Sequence, residues 1–156
     1  MGLARTHRQH GFTLIELTAV IVILGVIAAV ATPKFTDLSR AARITTLEGI
    51  QGSMLSTITM IKGLAYVNGL SVSDSSANQA RFLVETEAGS SELDWRNLCP
   101  ESQAELGDAL SMLDYINLGQ SSGLITSVDN RYTRIGYDIN GTGSITGNAC
   151  YLTYDS

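Results

Sequence analysis

Residues 11–16 read GFTLIE, and they open a run of about 20 mostly apolar residues that ends at Ala31. At roughly 1.5 Å of rise per helical residue, such a run spans about 30 Å, the thickness of the hydrocarbon core of a bilayer. Glu16 places a carboxylate inside this run, and a charged side chain there costs about 2.5–3.5 kcal/mol on insertion scales. The sequence therefore predicts a membrane-spanning helix whose acid requires a positive partner.

A short basic leader, residues 1–11, precedes the apolar run. Its arginines, Arg5 and Arg8, favour retention of the leader in the cytoplasm. Cleavage between Gly11 and Phe12 would create an α-ammonium group four residues before Glu16. A carboxylate in the first turn of a helix is also favoured by the helix dipole.

The segment from Gly11 to Glu16, with Gly25 and Pro33 beyond it, resembles the N-terminus of type IV prepilins and pseudopilins. The resemblance implies that a prepilin peptidase cuts after Gly11 and N-methylates Phe12. It also implies that Glu16 pairs with the N-terminal amine of a neighbouring subunit when the chain polymerises into a helical filament. In relatives, the helix loosens inside the assembled filament between the positions that match Gly25 and Pro33. A static kink at that place is the alternative for the isolated subunit.

A narrower resemblance, to the mannose-sensitive haemagglutinin branch of type IVa pilins, covers about the first third of the chain. The residues that support this resemblance are the short segments Pro33-Lys34-Phe35 and Ala42-Arg43, together with Leu47, Gly49 and Met54. The family implies an inner-membrane precursor in contact with lipid, an inner-membrane assembly machinery as partner, and an extracellular pilus (fimbrium) as product. Surface attachment is the function that this resemblance suggests.

Several alternatives share part of this pattern. Residues 29–31, Ala-Val-Ala, fit the small-x-small site of an ordinary secretory signal, which would release a soluble binding domain that begins at Thr32. A pseudopilin of type II secretion and a low-copy minor pilin have the same kind of N-terminus as a pilin. An ordinary signal would leave Glu16 without a purpose, so a pilin is favoured.

The charge and the histidine content exclude several functions. The formal charge of the chain is −5, and loss of Arg5 and Arg8 leaves 8 basic against 15 acidic residues, or −7. Such a surface does not suit broad contact with nucleic acid. Both histidines, His7 and His10, lie in the leader, so the processed chain would have neither a histidine-based nucleophile nor an imidazole zinc site. We predict neither an enzyme nor a cofactor.

The two cysteines, Cys99 and Cys150, lie beyond the membrane segment. In an oxidising compartment they would readily form a disulfide. A closed loop of about 50 residues would stabilise the fold by roughly 4 kcal/mol in the chain-entropy model. Two free buried thiols are the alternative.

The pattern beyond Pro33 predicts that the helix continues in amphipathic form. Apolar residues recur there at spacings of three and four, namely Ile44, Leu47, Ile50, Met54, Ile58 and Ile61, with Leu55 and Ala65 widening the stripe. We expect one helix from about Phe12 to Ala65, kinked near Pro33. The expected organisation is a cleaved leader (1–11), a transmembrane and assembly helix (12–32), and a periplasmic or extracellular head (33–156).

The remaining sequence predicts an α+β fold, in which the long helix packs on a small C-terminal antiparallel sheet, as in pilins. A second helix is expected over Pro100 to Leu113, with proline and acids in its first turn. Short strands are expected over Arg81–Glu85, Ser121–Val128, Arg131–Ile139 and Ala149–Tyr154.

The segment that begins at Asp138 has two interpretations. Oxygen-bearing residues alternate from Asp138 through Asn140 to Ser144, which is a weak calcium candidate. The EF-hand pattern fails, because Ala149 stands where the bidentate Glu should be. A hairpin with Asn140-Gly141 as its turn, flanked by residues 137–139 and 144–146, is favoured, so no metal site is expected.

Overall fold

The computed structural model describes residues 12–75, 79–119, 123–139, 141–145 and 150–156. It confirms the α+β class: one long helix is followed by a two-stranded and a three-stranded antiparallel sheet. The chain divides into two compact units after Ala41. The leader, with Gly11, lies outside the described residues.

Helix α1 comprises Leu14–Val67 and is 54 residues long. It continues through Pro33, which removes one backbone donor from the helix because proline has no N–H. Just before this position, the hydroxyl of Thr32 donates a 2.8 Å hydrogen bond to the carbonyl of Ala28. The predicted extent, Phe12 to Ala65, agrees with the observed helix to within two residues at each end.

In the second unit, one face of α1 is buried. The buried side chains recur at helical spacing and are Leu47, Met54, Thr57, Ile61 and Ala65. Ile44 and Leu55 were predicted for the same stripe but are 39% and 57% exposed. Leu55 directly follows Met54, so it is rotated by about 100° from the buried face.

Within the described residues, five strands form two sheets. The first sheet is the hairpin of β1 (Leu83–Thr86) and β2 (Gly89–Glu92). The second has the order β3 (Leu124–Val128), β4 (Tyr132–Tyr137) and β5 (Tyr151–Asp155), with antiparallel neighbours throughout. Four of the five strands were predicted, with shifted ends.

The second predicted helix, Pro100 to Leu113, is wrong. Residues 100–111 are irregular, and only a short 3₁₀ helix follows at Met112–Tyr115. The backbone of this segment pairs with β2: the Glu101 N–H donates to the Glu92 carbonyl at 2.9 Å, and the Leu110 N–H donates to the Ser90 carbonyl at 2.7 Å. Pairing with the sheet therefore replaces the local helical bonds.

Two apolar clusters form the core of the second unit. One contains Met54, Cys99, Met112, Ile116, Ile135 and Tyr154, and the other contains Ile61, Ala65, Phe82, Val84, Leu93 and Leu98. The Tyr154 hydroxyl donates a 2.5 Å hydrogen bond to the carbonyl of Pro100. This bond joins β5 to the irregular segment across more than 50 residues of sequence.

Candidate functional site: the N-terminal segment

The start of α1 is closed by a reciprocal pair of hydrogen bonds between Thr13 and Glu16. The Thr13 backbone N–H donates to Oε2 of Glu16 at 2.9 Å, and the Thr13 hydroxyl donates to the same oxygen at 2.8 Å. The Glu16 backbone N–H lies 3.4 Å from the Thr13 hydroxyl oxygen, which accepts it. Since helix α1 begins at Leu14, Thr13 is the N-cap residue and Glu16 is the third helical residue, as in a capping box.

The cap involves only one oxygen of the Glu16 carboxylate. Both donated bonds end on Oε2. Oε1 accepts no hydrogen bond from any residue in the described part of the chain, so it can receive a further donor. The cap also uses no atom of Phe12, and it would therefore survive cleavage before that residue.

Thr13 is a site residue that the sequence analysis missed. The signal was present, because a Thr-x-x-Glu spacing directly before an apolar run is a known mark of a helix N-terminus. The charge of Glu16 predicts a positive partner and a favourable interaction with the helix dipole, but it does not predict the hydrogen bonds to Thr13.

The side chains of the first unit have almost no cover from its own residues. Phe12 is 81% exposed and Ile15 is 76% exposed, and every other large apolar side chain from Leu14 to Val30 is also exposed. The N-terminal part of α1 is apolar and long enough to cross a membrane. An apolar surface of this extent requires lipid or protein to cover it.

The hydroxyl groups of Thr18, Thr32 and Thr36, in the first unit, form hydrogen bonds within the helix. Thr18 donates to the Ile15 carbonyl at 3.0 Å, and Thr36 donates to the Thr32 carbonyl at 2.9 Å, in addition to the bond of Thr32. The helix is unbroken at Gly25, where an added Cβ would meet nothing within 4 Å. Loosening between Gly25 and Pro33 remains a prediction for the assembled state.

The predicted disulfide is absent. Cys99 and Cys150 are both free thiols, the first buried and the second half-buried. Cys99 belongs to the core cluster that contains Tyr154, near the end of β5, whereas Cys150 directly precedes the first residue of that strand. At about 3.3 Å per strand residue, the four residues from Cys150 to Tyr154 span about 13 Å. The sequence distance between the cysteines carried no information about this arrangement.

The acid of the loop after β4, Asp138, accepts hydrogen bonds from the backbone of the same loop. The two oxygens of Asp138 accept the N–H groups of Thr142 at 3.0 Å and Gly143 at 2.6 Å. Gly141 and Gly143 adopt positive φ, as expected of turn residues, while Asn140 lies outside the described residues. The predicted short hairpin is wrong in its pairing, because the partner of β4 is Tyr151–Asp155 and residues 144 and 145 are not in a strand. Within the described residues, no group of three or more metal-ligating side chains could hold a metal ion.

Buried acids occur on the second unit, where the sequence analysis did not expect them. The Glu92 carboxylate accepts the N–H groups of Glu105 at 2.6 Å and Leu106 at 2.9 Å, and so it fixes the irregular segment. Burial, and secondly the charge of nearby Asp94, raises the pKa of Glu101 to about 7. Backbone pairing with β2 holds this acid in place, so we assign it a structural role.

Comparison with a protein-family model places a similarity in the N-terminal segment. The family described as "Prokaryotic N-terminal methylation motif" matches residues 6–32. A curated relative, the type IV narrow pilus major component PilA5 of Thermus thermophilus, is 57% identical over 35 residues. The match covers 22% of this chain and 30% of the relative, so most of both chains is not aligned.

No solved structure matches the chain significantly. The motif and the relative indicate a pilin-like N-terminal segment. The finer branch of type IVa pilins is not supported beyond the sequence resemblance. The N-terminal segment of this chain is therefore similar to that of a type IV pilin, and the long helix followed by small antiparallel sheets is the layout that the sequence resemblance predicted.

Proposed function

We propose that this chain is the structural subunit of a type IV pilus-like filament, processed by a prepilin peptidase and polymerised through α1. The observation that carries the proposal is the capped carboxylate of Glu16, which lies at the start of a fully exposed apolar helix. The methylation motif over residues 6–32 and the pilin relative support it. In this proposal, residues 1–11 are the leader, 12–32 the membrane and assembly helix, and 33–156 the head.

Processing would act at the bond between Gly11 and Phe12. The peptidase would release the leader and N-methylate Phe12, whose amine then carries a positive charge close to the helix start. The capping box depends on Thr13 and Glu16, so the carboxylate would keep its position after cleavage. Its second oxygen, Oε1, is the acceptor that we assign to the Phe12 amine of a neighbouring copy.

Assembly would exchange lipid for other copies around the apolar helix. Both surroundings are apolar, so close packing between helices and not a gain in hydrophobic burial would favour the filament. Loosening between Gly25 and Pro33 would help the helices to pack. The pair of Glu16 and the Phe12 amine would set the axial register, because a misaligned neighbour would leave a charge unpaired in low dielectric.

The proposed precursor lies in the bacterial inner membrane, and the product is an extracellular pilus. An inner-membrane assembly machinery would be the further partner. Attachment to surfaces is proposed from the family resemblance, together with the relative, which is named as the major component of a narrow pilus.

The test is replacement of Glu16 by alanine in cells that express the full chain. We expect the precursor to be made and cleaved, with Phe12 as the new N-terminus, while the yield of sheared surface fibres falls strongly. Glu48→Ala, an exposed acid of the same helix, is the matched control and should leave the fibres unchanged. Normal fibres from Glu16→Ala would refute the proposed role of the acid.

The same preparation distinguishes the alternatives. A pilin subunit should be the dominant polypeptide of the sheared fibres. Fibres that consist mainly of another protein would indicate a minor pilin, and loss of enzyme export with intact fibres would indicate a pseudopilin. A mature chain that begins at Thr32 would indicate an exported soluble domain.

A further inference from the structure

An open apolar groove of about 930 Å³ lies on the second unit. One side is formed by α1, where Met60, Gly63 and Leu64 contribute, and the other by residues 85–88 at the end of the β1–β2 hairpin. Tyr115 completes the wall. Met60 is 50% exposed although its side chain is apolar, so the described residues of the second unit leave this surface open.

The shape of the groove depends on Gly63. A Cβ added there would meet nothing within 4 Å, so the absent side chain leaves open space on the surface of the helix. In the adjoining wall, the hydroxyl of Tyr115 is buried and has no hydrogen-bond partner among the described residues.

The rim of the groove is acidic. Glu85 and Glu87 are exposed, and neither forms an ion pair within the described part of the chain. Apolar walls with an acidic rim select an apolar segment that carries positive charge. The chain itself contains such a segment.

That segment is the part of α1 that follows Pro33. Phe35 and Leu38 are 70% and 65% exposed, and Lys34 is also exposed. Lys34 and Leu38 are four residues apart and Phe35 and Leu38 are three apart, so the three side chains share one helix face. They lie beyond Ala31, where the apolar run ends, so the hydrocarbon core of a membrane does not cover them.

We infer that the groove binds the Lys34–Leu38 face of a second copy of this chain. The side chain of Phe35 would fill the open space over Gly63 beside Met60, and Lys34 would meet the acidic rim. This inference rests on the proposed filament, in which copies lie side by side, and it names a specific contact between their heads and helices.

Disulfide trapping in the full chain tests the contact. Two differently tagged copies carry Gly63→Cys and Phe35→Cys, and sheared fibres are oxidised and separated without reducing agent. Side-by-side contact gives a local thiol concentration in the millimolar range, so we expect at least about tenfold more dimer of the two tags than in the control. The control replaces Gly63→Cys by Gly52→Cys, which lies on the same helix, is exposed and also has open space around its Cβ.

The Gly63→Cys and Phe35→Cys variants are also oxidised separately. The dimer that each forms alone measures the contribution of the native thiols Cys99 and Cys150. The inference would be overturned by an equal amount of dimer in the Gly52→Cys control, by trapping of a different polypeptide, or by the absence of any trapped product. If the fibres are normal in these experiments, the proposed function still stands. Absence of fibres from the unaltered chain would overturn both.

Charge exchange is a second measurement that does not depend on cysteine chemistry. Replacement of Glu85 and Glu87 by lysine should lower the fibre yield by about tenfold, which corresponds to about 1.4 kcal/mol. Adding Lys34→Glu to the same chain should restore part of the yield. If Lys34→Glu lowers the yield further, the groove does not bind this face.

Discussion

At the scale of single residues, the carboxylate of Glu16 can bind two partner residues at once. One oxygen closes the helix start through Thr13, and the other is open to an amine from outside. The cap fixes the direction of the carboxylate before any neighbour arrives. A fixed acceptor loses less rotational freedom when a partner binds than a freely rotating one does.

Thr13→Val tests this positioning role, because valine keeps the shape of threonine and removes the hydroxyl. Loss of an N-cap costs about 1 kcal/mol, so we expect a lower fibre yield than for the unaltered chain but a higher one than for Glu16→Ala. The yield of sheared fibres and the N-terminal sequence measure assembly and processing separately. Thr13→Ser keeps the cap and is the control; equal yields from the serine and valine variants would contradict the role.

Glu101 makes the stability of the second unit dependent on pH. Its pKa is about 7 in the folded chain against 4.5 ordinarily, because it is buried and faces Asp94, Glu92 and Glu105, with a hydrogen bond to Ser156 opposing them. The folded chain therefore binds more protons than the unfolded chain between these two values. The contribution of Glu101 to stability is greatest below pH 4.5, and it falls as the pH rises through 7.

Glu101→Gln should remove this dependence. At pH 8 we expect the midpoint of thermal unfolding in detergent to rise by about 4–8 °C, which corresponds to about 1 kcal/mol for a domain of this size. Near pH 5 the two chains should differ little. Glu48→Gln, on the exposed face of α1, is the control, and parallel midpoint curves for Glu101→Gln and the unaltered chain from pH 5 to 8 would contradict the account.

At the scale of elements, the pairing of β4 with β5 depends on a close approach at Gly136. A Cβ at this position would lie 2.5 Å from Cβ of Tyr151 and 2.7 Å from the carbonyl oxygen of Cys150. Both neighbours belong to the strand backbone or its immediate substituents, so they cannot move aside without shifting the strand. The glycine therefore allows the register in which Gly136 faces Tyr151.

Gly136→Ala should destabilise the chain by about 1–3 kcal/mol, as other overpacked substitutions do. Urea unfolding of the detergent-purified chain measures the change. Gly52→Ala is the matched control: its Cβ meets open space in a helix, and it should stabilise the chain by up to about 1 kcal/mol. An unchanged urea midpoint for Gly136→Ala would show that the strands do not approach in this way.

The elements that the sequence predicted correctly are those that the local spacing of apolar residues determines. The spacing of apolar residues predicted α1 to within two residues at each end, and short segments of strand-like sequence predicted four strands. Strand β2, with the sequence GSSE, was missed because it has almost no apolar side chains and is held by its partners. Proline and acids suggested a helix at Pro100, but backbone pairing with β2 takes precedence there. At the candidate site, the position of Glu16 was predicted from its charge, whereas its bonds to Thr13 were not.

At the scale of the whole molecule, the two units differ in how their side chains are covered. Among the described residues, every buried side chain lies at Leu47 or beyond, and both core clusters belong to the second unit. From Phe12 to Leu38, the large apolar side chains of the first unit are all exposed. Stability of the head and association of the chain should therefore be separable properties.

A chain that begins at Pro33 tests this separation. We expect it to remain soluble in buffer without detergent and to unfold at the same temperature as the full chain, because no core residue has been removed. Gel filtration and thermal unfolding provide the two measurements. A large fall in the unfolding temperature would show that the apolar helix contributes to the stability of the head.

Three threonines in the N-terminal part of α1 affect how neighbouring copies of the chain pack against one another. The hydroxyl groups of Thr18, Thr32 and Thr36 each donate a hydrogen bond to a carbonyl of the same helix. They therefore need no hydrogen-bond partner from the lipid or from a neighbouring protein. Such a helix can rotate or slide against a neighbour without breaking a polar contact. Within the apolar run, the orientation and stagger of neighbouring helices then depend on the open oxygen of Glu16, so a change at this one carboxylate should alter the register of the whole run.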